Sequence, residues 1–263
     1  MFHDLRYQPA IGPLLLMARV TERVRLGPAA LNPFTLHPYE IAGQIAFLDA
    51  ASDGRAYVGL ARGAWLDRLG LEEERPLRAL REAVAVIQAL LGGDERGVDG
   101  ERFRLEAGTV LAYPRVRERV PLLIGTWGRR TAAWAGKVAD EVKLGGTANP
   151  GLVPLVREWI GNPATRLVTG CVTVVDEDSS RARARAHAAV GPYVDVVGGL
   201  DPTLDGELPL DRFCLAGTPE EVADRIRELW DAGVDRVELG TPQGLTTHDG
   251  VALICDRVLP LLS

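Results

Sequence analysis

A repeated alternation of short apolar runs with amphipathic stretches most restricts the fold of this 263-residue chain. Apolar runs such as Pro121–Ile124 suit strands that are buried on both faces of a parallel sheet. Stretches with helical periodicity separate these runs, and Pro76–Leu91 is the clearest of them because its apolar residues recur every three or four positions. Alternating strands and helices of this kind predict a parallel sheet with right-handed crossovers.

Six core strands are expected from this pattern, at Val24–Leu31, Ala56–Leu60, Pro121–Ile124, Glu141–Leu144, Leu167–Val175 and Val234–Leu239. The predicted helices are His37–Ala51, Pro76–Leu91, Arg129–Ala139, Leu152–Ile160, one capped by Ser179 or Ser180, one that opens with a Thr218–Glu221 capping box, and one at the C-terminus. A Gly-rich and charged insertion at about 92–119 interrupts the rhythm, with a short hairpin expected at Arg102–Val110. Eight strands close a barrel and an open doubly wound sheet needs five or six, so the pattern leaves both open.

Composition excludes several classes of function. A formal charge of −6 and a pI near 5.4 argue against a protein whose partner is nucleic acid or an anionic membrane. No apolar run approaches the roughly 18 residues that span a bilayer, and the first residues lack a signal-peptide pattern. The cysteines Cys171, Cys214 and Cys255 form no C-x-x-C pair and the histidines are scattered, which predicts a reduced, cytoplasmic protein without a metal site.

One segment carries a family resemblance. Thr21–Gly63 reads TERVRLGPAALNPFTLHPYEIAGQIAFLDAASDGRAYVGLARG. It resembles the stretch of luciferase-like oxidoreductases in which a T-E-R strand leads to an N-P-x-x-x-H-P turn, an L-D-x-x-S-x-G-R helix and a glycine-rich loop. The segments VPLLIGTWGRRTAAWAGKVADEVKLGG and AGTPEEVADRIRELWDAGVDRVELGTPQG resemble later parts of the same family, so the likeness covers most of residues 15 to 262.

The resemblance implies a TIM-type (β/α)8 barrel that forms a single domain over residues 1–263. The runs GPAALNP, LDRLG and GTPQG are most similar to the deazaflavin-dependent branch, typified by methylenetetrahydromethanopterin reductase. That branch implies hydride transfer between coenzyme F420 and a small organic substrate such as a pterin. An FMN-dependent monooxygenase and a catalytically silent barrel subunit are the alternatives.

Family members usually begin with a strand, a helix and a second strand that ends in an Asp-His pair, and Met1 falls about where that second strand ends. We therefore expect either a different true start or a barrel without its first βαβ segment. Such a barrel would expose strand edges, which predicts a covering partner, most simply a second copy of the chain. His3 and Asp4 lie nearest the family's usual proton donor, but no catalytic acid is assigned.

The resemblance implies that Ala29 and Ala30, joined by a cis peptide bond, press on the back of the cofactor ring at the end of the first predicted strand. Asn32 would then bind the polar edge of the ring. His37 would either cap the following helix or approach the substrate. The competing interpretation is an ordinary strand-to-helix turn that contains Pro28 and Pro33.

Two further loops complete the predicted site. In the loop Gly59–Trp65, Gly59 and Gly63 would let the backbone approach a ligand, and Arg62 would hold an anionic cofactor tail or be an ordinary surface arginine. A strand that delivers a glycine-rich turn to a helix start is a typical phosphate site. The residues expected to bind phosphate there are Gly125, Thr126, Trp127, Gly128 and Arg129, with Arg130 as a second cation; a tight turn without a ligand is the alternative.

Overall fold

A computed structural model of the chain describes residues 10–63, 66–206 and 208–263. The chain forms two compact units. The first consists of Met1–Gly125 with Val138–Asp140, and the second of Thr126–Lys137 with Glu141–Ser263.

The described residues of the first unit form three helices and two parallel strands. In chain order these are α1 (Ile11–Val20), α2 (Pro38–Ala51), β1 (Val58–Ala61), α3 (Pro76–Gly92) and β2 (Leu122–Gly125), with a 3-10 turn at Leu66–Leu69. β1 and β2 pair in register from Val58 beside Leu122 to Ala61 beside Gly125. Their first three residues are buried, as the wholly apolar runs predicted.

The predicted strand Val24–Leu31 is wrong as a regular element. Only Leu26 and Leu31 of this segment form parallel bridges, to Ala56 and Leu60 respectively. Pro28, between them, has no N–H to donate to a strand ladder. The segment therefore follows β1 without forming a continuous ladder.

Arg55 explains part of the motif in Thr21–Gly63. Its guanidinium donates to the carbonyl oxygens of Ala18, Thr21 and Val24 at 2.8 to 3.1 Å, and to the Thr21 hydroxyl at 3.1 Å. Its Nε donates to the Ser52 carbonyl at 2.7 Å. These bonds satisfy carbonyl groups where α1 and α2 end. The motif residues Thr21, Ser52 and Arg55 therefore connect the ends of the two helices.

Asp49 anchors the insertion to the first unit. The buried Asp49 carboxylate accepts from the Ala56 amide at 3.1 Å and from the Arg117 guanidinium at 2.7 and 3.1 Å. The only described β pairing within the insertion joins Val98 and Leu105, earlier than the predicted hairpin Arg102–Val110. The Glu82 carboxylate on α3 accepts from the amides of Arg102 and Phe103, a long-range contact that local sequence does not reveal.

The second unit is built around a long central strand. Its elements are α4 (Arg129–Val138), β3 (Glu141–Gly145), α5 (Val153–Ile160), β4 (Arg166–Val175), α6 (Ser179–Val190), α7 (Val194–Gly198), β5 (Cys214–Gly217), α8 (Pro219–Asp231), β6 (Arg236–Gly244), α9 (Thr247–Leu253) and α10 (Leu259–Leu262). β3 and β5 pair in succession with the first and second halves of β4, and β6 pairs with both halves. All three pairings are parallel, as predicted.

Helix starts in the second unit confirm one predicted cap and correct another. Thr218 and Glu221 form the expected capping box at the start of α8. At the start of α6, Asp178 is the cap, since its carboxylate accepts from the amides of Ser180 and Arg181. Neither predicted serine caps α6, because the Ser179 hydroxyl donates to the Glu221 carboxylate instead, at 2.6 Å.

Candidate functional site

In the first unit, the segment that contains Ala29 and Ala30 lies directly against β1 at Gly59. A cis peptide bond joins Ala29 to Ala30, as the resemblance implied. A Cβ atom added to Gly59 would lie 2.0 Å from the Pro28 carbonyl oxygen and 3.3 Å from the Ala29 Cα. Only glycine permits this approach of two backbones.

The end of β2 lies beside the same residues. A Cβ atom added to Gly125 would lie 3.3 Å from the Cβ of Ala61 and 3.9 Å from the Cβ of Ala30. The segments around Ala29, Gly59 and Gly125 therefore lie side by side. We call the partly exposed residues Ala29, Ala30, Ala61 and Gly125 the small-residue shelf.

Asn32 lies next to the shelf with its side chain oriented by a turn. The buried Oδ1 accepts from the amides of Phe34 and Thr35 at 3.1 and 2.9 Å and from the Thr35 hydroxyl at 3.0 Å. Its Nδ2 donates to no group in the described part of the chain and faces Gly63, where an added Cβ would be 3.2 Å away. Asn32 therefore offers a ligand a hydrogen-bond donor.

Arg62 and Gly63 line a cleft of about 400 Å³ together with Phe34 and Leu66. Glu72, Glu73, Glu74 and Pro76 form the rest of its described lining. Arg62 is exposed and forms no ion pair with any described residue. Three glutamates line the same cleft as Arg62 and add negative charge to it, and the predicted anion-binding role of Arg62 stays a prediction. Ala64 and Trp65 of the predicted loop lie outside the described residues.

His37 is the N-cap of α2. Its Nδ1 accepts from the Tyr39 amide at 3.1 Å, and its ring packs edge-on against Phe103 with centroids 5.6 Å apart. The structure thus shows the capping alternative. The side chain is exposed, so its predicted contact with substrate stays a prediction.

The predicted phosphate-binding residues of the second unit form a turn before α4 that is hydrogen-bonded to β3. The Thr126 amide donates to the Lys143 carbonyl at 3.0 Å, and the Trp127 indole Nε1 donates to the Gly145 carbonyl at 3.0 Å. The Gly128 amide donates to the Thr126 hydroxyl oxygen at 2.9 Å. That hydroxyl keeps its own proton for donation to a ligand.

Helix α4 adds unpaired backbone donors, since the first amides of an α-helix lack intrahelical acceptors. Arg129 and Arg130 are exposed, and Arg129 is 4.0 Å from Glu158. The turn and the helix start together have the donors and positive charge that suit a phosphate. No phosphate site is established by geometry alone, and these roles remain predictions.

A charged ladder on one face of the second unit's sheet was missed by the sequence analysis. Lys143 pairs with Glu238, and Arg236 pairs with Glu238 at 2.8 Å and with Glu141 at 2.5 Å. Gly170 on the intervening strand makes room, since an added Cβ would lie 3.2 Å from both Lys143 Cε and Glu238 Cβ. The signal was present in the strands EVKLG and RVELG, whose alternate charges share one face.

The cysteine thiols and the possible metal ligands were the other candidates for a functional site. Burial raises the pKa of the Cys214 thiol to about 12, and burial also raises the pKa of Cys171. Among residues 10–63, 66–206 and 208–263, no group of three or more His, Cys, Asp or Glu side chains could hold a metal ion. Within those same ranges, no helix is both long and apolar enough to cross a membrane.

Two relatives of known name align with nearly the whole chain. A 5,10-methylenetetrahydromethanopterin reductase of Archaeoglobus fulgidus is 28% identical over 291 residues, which cover 95% of this chain and 86% of the relative. An F420-dependent glucose-6-phosphate dehydrogenase of Nakamurella multipartita is 29% identical over 288 residues, with 99% and 84% covered.

A solved structure agrees with this result. The coenzyme F420-dependent tetrahydromethanopterin reductase from Methanopyrus kandleri superposes with a TM-score of 0.80 at 25% identity, covering 97% of this chain and 88% of that one. The likeness confirms the predicted fold class, the TIM-type α/β barrel. The family model for luciferase-like monooxygenases matches residues 7–236. The chain belongs to the luciferase-like monooxygenase family.

Proposed function

We propose that this chain is an oxidoreductase that binds coenzyme F420 and transfers a hydride between it and a small organic substrate. The observation that carries the proposal is the small-residue shelf, where Gly125 lies beside Ala30 and Ala61 with no side chain of its own. A surface whose side chains are no larger than methyl groups leaves room for one face of a planar ring. The glucose-6-phosphate dehydrogenase and the solved reductase structure, both named above as F420-dependent, supply the choice of ring.

The proposed roles of the residues follow from their donors and sizes. The shelf would support the ring from one side, and Asn32 Nδ2 would donate to a carbonyl on its edge. The deazaflavin supplies the hydride when it is bound, so the protein has to position it and shield one face. These residues fit that task because none of them adds bulk above the shelf.

The turn Thr126–Gly128 and the start of α4 would hold the cofactor's phosphate. The Thr126 hydroxyl and the first helical amides are donors, and Arg129 or Arg130 adds positive charge. Arg62 has a smaller part in this proposal than the sequence predicted, because Glu72, Glu73 and Glu74 line the same cleft.

For the substrate we propose a pterin or a similar ring with N–H donors. Carboxylates of the cleft accept hydrogen bonds from such groups, whereas they repel a sugar phosphate. Both classes are represented among the relatives, as reductases of a methanopterin and as dehydrogenases of glucose 6-phosphate. The chain should therefore act on the pterin in preference to the phosphosugar.

Binding of the two candidate cofactors tests the proposal. The purified chain is titrated with F420 and, separately, with FMN while cofactor fluorescence is followed. We expect saturable binding of F420 and weaker binding of FMN, followed by F420-dependent turnover of a methylene-tetrahydropterin but not of glucose 6-phosphate.

Each other result has a definite meaning. Tight FMN binding without F420 binding would replace the proposal with an FMN-dependent monooxygenase. Binding of neither cofactor would leave the silent barrel subunit. Turnover of the phosphosugar alone would overturn the proposed substrate class and leave the cofactor unaffected.

A further inference from the structure

Trp127 is the one large side chain of the turn before α4, and its polar atom is already engaged. The indole Nε1 donates to the Gly145 carbonyl at 3.0 Å, directly after the last buried position of β3. The ring is partly buried, and Gly128 beside it is exposed. Because the indole N–H already donates to the protein's own backbone, it is not available to a ligand. We therefore consider an indirect role for Trp127 in cofactor binding.

The acceptor of this bond is itself fixed. The next amide, that of Gly146, donates to the Gly170 carbonyl of β4 at 2.6 Å. The Thr126 amide is held by the Lys143 carbonyl of the same strand at 3.0 Å. Two bonds spaced along β3, one from backbone and one from a side chain, therefore fasten the turn to the sheet.

A third bond sets the internal shape of the turn. The Gly128 amide donates to the Thr126 hydroxyl oxygen at 2.9 Å, which leaves the α4 amides after Gly128 as the donors that point outward. A turn fastened in this way loses little conformational entropy when an anion binds. Preorganisation of this kind raises affinity without adding a contact.

We propose that Trp127 is a positioning residue for the cofactor's phosphate: its indole N–H clamps the turn to the end of β3 and thereby sets the affinity for the phosphorylated part of the cofactor. The clamp touches neither the reacting ring nor the substrate. This inference rests on the proposed function, since it takes the phosphate of a deazaflavin as the ligand.

Two ligands distinguish a role of Trp127 in phosphate binding from a role in the stability of the fold. F420 carries the phosphate, and the deazaflavin nucleoside has the same ring without phosphate or tail. The variant Trp127→Phe keeps an aromatic ring and removes the N–H. It should raise the Kd for F420 roughly fivefold, as expected for the loss of one hydrogen bond, and leave the Kd for the nucleoside unchanged.

Trp230→Phe is the matched control, because Trp230 lies on α8 with 39% of its surface exposed. It should alter neither Kd. An equal loss of affinity for both ligands in Trp127→Phe would overturn the proposal, because it would place the effect on the ring or on the whole fold. An unchanged Kd for F420 would overturn it as well.

A measurement on the unliganded wild-type chain covers the case of a poorly folded variant. With 15N-labelled tryptophan, the Trp127 indole proton should exchange with water at least tenfold more slowly than that of Trp230, since it is hydrogen-bonded and partly buried. Equal exchange rates would show that the clamp is absent. If the wild-type chain binds neither deazaflavin, the proposed function fails first, and a protected Trp127 proton would then mark a structural bond without a role in binding.

Discussion

His37 holds the start of α2 with a ring nitrogen, a task that asparagine can also perform. We predict that His37→Ala lowers the free energy of unfolding by about 1 kcal/mol, the usual cost of a lost N-cap, whereas His37→Asn costs only a few tenths. Urea denaturation of the three proteins measures this. Equal losses in both variants would show that the Tyr39 amide bond contributes nothing to stability.

The same pair of variants separates the two predicted roles of His37. If the ring also contacts substrate, His37→Asn should raise KM while stability is retained. A KM equal to that of the wild type would leave His37 as a helix cap alone.

At single positions, the sequence predicted a backbone feature more readily than the hydrogen bonds of a side chain. Ala29 and Ala30 have the predicted cis bond, and Asn32 lies beside Gly63. What the sequence could not give is that Asn32 Oδ1 is saturated by its own turn, leaving only Nδ2. Which end of an amide faces a ligand depends on neighbouring backbone geometry, which a motif does not record.

The charged ladder between β3 and β6 is a feature of packed strands. The side chains of Lys143 and Glu238 are 13% and 22% exposed, so removing Lys143 takes one of two cationic partners, the other being Arg236, from a largely buried carboxylate. We predict that Lys143→Met lowers the free energy of unfolding by about 2 kcal/mol. The double variant Lys143→Met/Glu238→Gln should lose less than the sum of the single changes. Strict additivity in denaturant titrations would contradict a direct pairing.

The capping box of α8 should make stability depend on pH. The hydrogen bond from the Ser179 hydroxyl, followed by that from the Thr218 amide, lowers the pKa of Glu221 below the 4.5 of a free carboxyl. A lowered pKa stabilises the fold above about pH 4.5, and this contribution is lost as the pH falls through the lower folded value.

We therefore predict that Glu221→Gln is less stable than the wild type at pH 7 by about 1 kcal/mol. The difference should shrink when thermal or urea unfolding is repeated at successively lower pH, below the pKa of the free carboxyl. A difference that stays constant with pH would show that Glu221 acts without its charge.

Elements with a strong local signal were predicted well, and those that depend on long-range contacts were not. α3 and the strands β2, β3 and β4 were found because their apolar patterns are clear. β5 (Cys214–Gly217) was missed because Leu215 is the one large apolar residue among its four. α1 was missed because IGPLLLMARV contains a proline and lacks a polar face.

The apolar surface of α1 supports the prediction that the chain associates with a second copy. Leu16 and Val20 are 70% and 81% exposed, and Met17 is 46% exposed. Adjacent exposed apolar side chains of this kind mark interaction surfaces. We predict a dimer by light scattering at micromolar concentration and a monomer for Leu16→Glu/Val20→Glu. A monomeric wild-type chain would contradict the prediction.

The fold class and the converging loops were predictable because a family motif fixes the order of strands, turns and glycines. The charged ladder, the acidic lining beside Arg62 and the Trp127 clamp were not, because each joins residues that are far apart in sequence or absent from the motif. The anionic-tail role of Arg62 stays a prediction, and the motif that suggested it does not record that Glu72, Glu73 and Glu74 line the same cleft.

The central claim is that the small-residue shelf holds the cofactor ring, and Gly125→Val tests it most directly. A Cβ at this position makes one tight contact, 3.3 Å from the Ala61 Cβ, and one ordinary contact, 3.9 Å from the Ala30 Cβ. Because Gly125 is partly exposed at the end of β2, the branches of a valine can point to solvent, and we expect the variant to keep the wild-type Tm within a few degrees. Its branched side chain would occupy the space above the shelf, which should weaken F420 binding about thirtyfold or more in a fluorescence titration. F420 binding as tight as that of the wild type, in a variant of unchanged Tm, would contradict the claim.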